Sequence, residues 1–356
     1  MSRSIIRGAG AFAIALSIAI GVASAQSPAV NPNQAAQAAA EQKQRLDQPL
    51  NNQPIWKEIR SGEQQITTVR GRETNVLIQS EGQTWRALRT PIIFWGGMLF
   101  ALAVVGTVAF YLVRGPMGGN YKPGGRLIER FAPADRYAHW LVAIAWVTLA
   151  VTGLVLSLGK SVLLPLIGYT LFSWLATIAK NLHNFVGPIL IIGTLWLIAR
   201  FIRDNMLTRE DVRFLANIVG YFKGQEYPSG RFNAGEKFIP FWLMLVVVTT
   251  VLVVTGLILV FPNFDQTRQT MQLSNVIHMI AAYVGIAMLV LHIYLGTVGF
   301  SGSYRAMREG YVDENWAEHN HRYWYDDVAA GRSRQHFAGG TEGRRVEQAA
   351  RPHAAD

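Results

Sequence analysis

Residues 274–300 read SNVIHMIAAYVGIAMLVLHIYLGTVGF, an apolar run that carries His278 and His292 and is long enough to cross a membrane as one helix. The two histidines stand fourteen residues apart. On an α-helix that spacing is a rise of about 21 Å and a return to nearly the same face. One helix therefore offers two imidazoles on one side, at two depths. Ionisable groups are costly in hydrocarbon and mark pathways or cofactors, so two at matched depths predict two stacked redox centres.

Four further runs are long enough to span: Pro91 to Val113, Ala138 to Leu158, Leu182 to Phe201 and Phe238 to Phe261, with the fifth at Asn275 to Phe300. The 356-residue chain is 50% hydrophobic and only 16% charged, which excludes a soluble domain and predicts an all-α polytopic membrane protein. It has no cysteine, which rules out disulfides, thiolate-held iron–sulfur clusters and covalently attached c-type haem in this chain. A redox metal must then use histidine or another non-thiol ligand. The net charge of +10 lies in short loops beside apolar runs, which points to membrane orientation and lipid contact rather than nucleic acid.

The N-terminus has the pattern of a secretory signal: Arg3 and Arg7, an apolar run from Ala11 to Val22, and Ala23-Ser-Ala25 as a cleavage site. Residues 26–90 follow as an exported segment, poor in groups to bury up to about Gln53. Two strand-like runs around Ser80-Glu-Gly82 predict a small β-hairpin over Thr74 to Trp85. With the N-terminus exported, five spans bring the C-terminus to the cytoplasm. Five Lys/Arg in the Arg114 to Arg136 loop and seven from Arg200 to Lys237 support that orientation, because the opposite loops are poorer in positive charge. Ser161 to Ala179, with Pro165, Tyr169 and Trp174, is expected along the outer interface rather than as a sixth span. The polar tail carries His319, His321, His336 and His353, read as solvated, and residues 327–356 are expected to be a disordered cytoplasmic tail.

Orientation sorts the intramembrane histidines by depth. His183 and His278 open the third and fifth spans from the outside; His139 opens the second from the inside, and His292 lies late in the fifth. Each pair draws on two helices, as axial ligation of one flat macrocycle requires. Bis-imidazole iron has no open position and suits electron transfer. A proton relay would place carboxylates at mid-depth, and the spans have none. A four-histidine metal site is excluded by the distance from His278 to His292. Gly153, Gly187, Gly256, Gly285 and Gly296 allow close approach of helices or a flat ring, and Arg130 and Arg136 are candidates for haem propionates or simple topology signals.

Asp135-Arg-Tyr-Ala-His-Trp140, Leu182-His-Asn-Phe-Val-Gly187, Arg231-Phe-Asn-Ala-Gly-Glu-Lys237, Ile277-His-Met-Ile-Ala-Ala282, Leu291-His-Ile-Tyr294 and Met307-Arg-Glu-Gly-Tyr-Val312 follow in an order and spacing that resemble the cytochrome b (gamma) subunit of respiratory formate dehydrogenase. The resemblance covers about Arg130 to Asp326. It implies a transmembrane bundle of four core haem-binding helices over 130–326, here with an extra N-terminal span at 91–113. It further implies two haem b, held by His183 with His278 (outer) and by His139 with His292 (inner). Electrons would come from a molybdenum or tungsten catalytic alpha subunit through an iron–sulfur beta subunit at the inner membrane of a bacterium. They would reduce quinone at a pocket near the cytoplasmic face involving Asn233, Gly235 and His292. Asn233 is equally suited to cap the fourth span. Competing readings are the cytochrome b subunit of a hydrogenase or other periplasmic oxidoreductase, a haem-free anchor, and a proton-coupled transporter.

Overall fold

The computed structural model describes residues 80–117, 124–216, 228–262, 264 and 266–339, with isolated positions Ala36, Ala39, Ala40, Lys43 and Arg60. The expected signal segment, most of the exported segment and the tail beyond 339 lie outside the described residues. Among the described residues five helices are long and apolar enough to cross a membrane: Ala87–Arg114, Pro133–Val162, Leu164–Phe201, Ala234–Val260 and Gln269–Gly299. The protein is an integral membrane helical bundle. We label the helices α1 (Ser80–Arg114), α2 (Pro133–Val162), α3 (Leu164–Phe201), α4 (Arg209–Ala216), α5 (Ala234–Val260) and α6 (Arg268–Tyr294, continued by a wide-wound turn, Leu295–Gly299).

Two compact units divide the chain. The smaller comprises Met1–Pro91 with Phe261–Val276. Its described part includes a local turn in which Gln266 Nε2 donates to Phe261 O and Thr267 Oγ1 accepts from Thr270 N at the start of α6. The larger, Ile92–Val260 with Ile277–Asp356, contains all four candidate ligands.

In the larger unit α2 packs along α3, and α3 meets α5. The core joins Val142, Ala145 and Trp146 of α2, Leu190 and Leu197 of α3, Met244, Leu245 and Val248 of α5, and Ile286 and Leu289 of α6. Gly285 makes that approach possible, since a Cβ there would sit 2.7 Å from the Trp146 ring. α1 is set apart by its surface: only 6% of its most apolar stretch is buried, against 28% in the other four. It touches the bundle where Gly96 faces the Tyr283 ring, whose hydroxyl donates to Ser157 Oγ.

α5 begins with a capping box. Asn233 Oδ1 accepts from Glu236 N at 2.8 Å, and Glu236 Oε2 accepts from Asn233 N at 2.9 Å. Its next segment, Lys237–Val248, contains Pro240 and winds as a π-helix. Proline removes an amide donor and crowds the preceding turn, and a wider winding is one way a helix absorbs that defect.

One end of the bundle is closed by a folded cap. Leu127–Glu129 (β1) pairs antiparallel with Tyr311–Asp313 (β2), Ile128 opposite Val312. Around them lie Ser303–Glu309 (α7), Glu314–Asn320 (α8) and Arg322–Ala329 (α9). Gly310, at φ 98°, ends α7, and its carbonyl accepts from Arg130 N and Phe131 N. A left-handed residue is required there, and a Cβ would strike Phe131 O. Ile128, Val312, Trp316 and Trp324 fill the cap core.

Four expectations change. The hairpin does not form over its described part, since α1 starts at Ser80 and runs through Trp85. Ser161 to Ala179 is not a piece separate from the spans: residues 161–162 end α2, and from Leu164 the chain is already in α3, which runs on to Phe201 with one non-helical residue, Gly168, φ 75°. The chain stays folded well past residue 327: Val328 is buried, and Ala338 N donates to Leu127 O on β1. His321 is not solvated; it is 1% exposed, buried in the cap.

Candidate functional site

The four spanning histidines come together as two pairs within the larger unit. His183 on α3 faces His278 on α6, with ring centroids 6.2 Å apart and planes at 70°. His139 on α2 faces His292 on α6 at 6.1 Å and 46°. Two imidazoles bonded to one iron from opposite sides, with metal–nitrogen bonds of about 2 Å, put their ring centroids roughly 6 Å apart. Both gaps match that requirement. Along α6 the two pairs are separated by about four helical turns, or about 21 Å.

The surroundings of the pairs differ. His183 Nδ1 lies 2.8 Å from Thr152 Oγ1, and His278 Nδ1 lies 2.9 Å from Thr255 Oγ1. Beside each threonine is a glycine whose Cβ would sit 3.5 Å from His183 Cε1, for Gly153, or 3.4 Å from His278 Cε1, for Gly256. In the other pair His139 Nδ1 is buried without a hydrogen-bond partner among the described residues. Imidazoles that face each other in pairs from different helices are a donor set that fits haem b.

The His139/His292 pair lies at the capped end, above a dense polar lock. Asp135, 3% exposed, accepts from Arg200 Nε at 2.6 Å and Arg231 Nη2 at 3.0 Å. Arg231 also pairs with Asp204 and donates to Arg130 O. Arg130 is 2% exposed; its Nη2 donates to Arg231 O and Glu236 and meets His321 Nε2 at 3.1 Å. Arg130 Nη2 is thus taken up by this lock and Arg136 Nη1 donates to Arg308 O, while the buried Nε of each arginine has no hydrogen-bond partner among the described residues. The sequence could not show this, because its partners are as many as 191 residues apart.

His321 has a defined tautomer. Its Nδ1 faces Gly230 O at 2.9 Å, an acceptor only, so Nδ1 carries the proton and Nε2 accepts from Arg130. Burial and the Arg130 charge lower its pKa from 6.5 to about 4. The unfolded chain then binds more protons than the folded one between those values, so stability rises with pH there. The contribution is complete above about pH 6.5 and is lost as the pH falls toward 4, a change of roughly 3 kcal/mol. Thermal unfolding in detergent across that range should show the loss, and His321→Gln should flatten it. An unchanged slope in the variant would assign the effect to other groups.

Beside this lock a cavity of about 410 Å³ opens between α4, the start of α5 and α9, bordered by Asp211, Phe214, Ser229, Asn233, Lys237 and Tyr323 among others. Asn233 reaches it while acting as the cap of α5, so its two expected roles are compatible in geometry. Gly235 adjoins Asn233, but neither Gly235 nor His292 is among the described residues that line the cavity. The threonines beside His183 and His278 were missed in the sequence, although a repeated Val-Thr-Gly-Leu, at Val151–Leu154 and Val254–Leu257, was there to be read.

Residues 130–310 match the family model for prokaryotic cytochrome b561. The chain is 30% identical over 214 residues to the nitrate-inducible formate dehydrogenase cytochrome b556(Fdn) subunit of Escherichia coli K12, covering 57% of this chain and 92% of that protein. It is 29% identical over 210 residues to the formate dehydrogenase cytochrome b556(fdo) subunit of the same strain, covering 56% and 93%. A formate dehydrogenase cytochrome b556 subunit of Haemophilus influenzae is 26% identical over 211 residues, with 56% and 82% covered.

Proposed function

The chain belongs to the prokaryotic cytochrome b561 family, and from this we propose that it is the membrane-anchoring, di-haem cytochrome b subunit of a formate dehydrogenase. The observation that carries the reading is the pairing of His183 with His278 and of His139 with His292 at centroid separations of 6.2 and 6.1 Å. Each pair would hold one haem b, and the two groups, when bound, supply one-electron carriers between a formate-oxidising partner on one side of the membrane and quinone at the other. The relatives' names, each a cytochrome b556 subunit of a formate dehydrogenase, motivate a formate-oxidising partner; a catalytic subunit and an iron–sulfur subunit outside the cytoplasmic membrane are what the family resemblance implies.

The chain's own residues account for the rest. Each histidine pair would hold its haem with two imidazoles, a ligand set that would favour electron transfer over oxygen chemistry. The four imidazoles are half-buried among α2, α3, α5 and α6. The basic cap end faces the cytoplasm by the distribution of Lys and Arg. There the cavity beside Asn233 offers a quinone head group a polar edge within reach of water and protons. Gly235 and His292 complete that quinone site only if the ring reaches past Asn233 toward α6.

The test is a pyridine haemochrome assay on purified chain, followed by reduction with formate in the intact complex and reoxidation with quinone. Two haems per chain, both reduced by formate, are expected. Asn233→Ser, which keeps a good cap, should slow reoxidation while leaving haem content alone. Absence of haem from folded chain would overturn the haem reading, and full-rate reoxidation in the variant would overturn the quinone site.

A further inference from the structure

We propose that Thr152 and Thr255 are positioning residues that fix His183 and His278 as Nδ1–H tautomers and so make the site between these two histidines the more electron-rich of the pair. The inference rests on the haem reading above and adds to it an asymmetry between the two sites.

Hydrogen counting carries the argument. A threonine hydroxyl has one proton to give and lone pairs with which to accept. Thr152 Oγ1 donates to Thr148 O at 2.7 Å, and Thr255 Oγ1 donates to Val251 O at 2.6 Å, each one turn back along its own helix. With that proton committed, the hydroxyl can only accept from the imidazole it faces at 2.8 or 2.9 Å. Nδ1 must then carry hydrogen in both rings, leaving the lone pair on Nε2. That is the nitrogen an iron between the rings would take.

The same two-residue device occurs on both sides. Thr152-Gly153 stands on α2 against His183 of α3, and Thr255-Gly256 on α5 against His278 of α6. In each, the glycine stands beside the ring edge at Cε1, where a Cβ would make ordinary van der Waals contact. Both threonines are 6% exposed, so water does not compete for the contact. The His139/His292 site lacks the matching arrangement at His139, whose Nδ1 is buried and unpartnered. Hydrogen bonding from the distal N–H raises a histidine's basicity as a ligand and holds its ring. Greater donation favours the oxidised metal, so this site has the lower potential of the two. Electrons entering there would run downhill to the His139/His292 site.

The experiment is a spectroelectrochemical titration of the detergent-purified full chain, with haem per chain measured first. Wild type without haem would sink the haem reading itself. With two haems in wild type, Thr152→Val/Thr255→Val is expected to raise the midpoint of the lower-potential haem toward that of the other and to alter only that haem's low-spin EPR signal. Thr152→Ser/Thr255→Ser should restore both. Midpoints unmoved in the valine variant, both moving together, or serine behaving as valine would overturn the proposal. Should the double valine variant lose haem, the two single valine variants are titrated in its place: a raised midpoint of the lower-potential haem supports the proposal, and an unmoved one overturns it.

Discussion

His278→Ala is expected to leave one haem b per chain where two are expected in the parent, and to remove the lower-potential component of the redox titration. His278 faces only His183, at 6.2 Å between centroids, while His139 and His292 lie about four turns away along α6. Losing one imidazole leaves a five-coordinate site in an apolar wall and a cavity the size of the lost ring, and neither retains a non-covalently held haem well. His292→Ala should remove the other component and, because that pair lies at the capped end, stop quinone reduction as well. Formate would then still reduce the surviving haem in the complex. His336→Ala, at an exposed position on the cap, serves as the control and should change neither haem. The assay is haem stoichiometry with low-temperature spectra in the α-band. Retention of both haems in either ligand variant would refute the pairing.

The histidine pairs were legible in the sequence for a simple reason. In a membrane the helix axis is held near one direction, so position along the chain converts to depth, and four histidines on three helices fall into two layers without any knowledge of packing. The span positions were legible on the same ground. The cap was not. Its lock joins Arg130, Arg231, Glu236 and His321 from three distant stretches, and nothing local marks His321 as different from His319 two residues earlier. A histidine in a polar tail looks solvated until Trp316 and Trp324 are seen to close around it. The hairpin expected at Thr74 to Trp85 failed where it can be assessed because Glu81, Gln83 and Trp85 continue upstream the strong helical course of α1, and a short local β pattern does not outweigh a long helix. Gly168 carries the opposite lesson: one left-handed residue separates two helical pieces that apolar composition alone cannot apportion.

Asp135→Ala should be the most destabilising single change in the cap, lowering stability by about 3–5 kcal/mol, because it removes the buried carboxylate that two arginines share and leaves Arg231 with only Asp204 to balance it. Asp135 is 3% exposed and joins Arg200 of α3 to Arg231 of the loop before α5. Arg231 has a side chain only 8% exposed and lies over the rings of Phe131 and Phe201, so it cannot turn to water when its acceptor is lost. Asp204 would remain as its one carboxylate. Arg200→Ala breaks the same cluster from its outer side, where the arginine is 41% exposed, and should cost no more than about 1 kcal/mol. The contrast between these two variants in detergent thermal unfolding is the measurement, and similar losses in both would show that the cluster is not held from Asp135. The consequence reaches the redox site. Asp135 and His139 are one turn apart on α2 and so share a face, which makes the lock the anchor of an imidazole whose Nδ1 has no hydrogen bond of its own to orient it. The expected signature of Asp135→Ala is therefore selective: the His139/His292 haem is lost or its spectrum broadened at temperatures where the His183/His278 haem, oriented by its two threonines, is still intact.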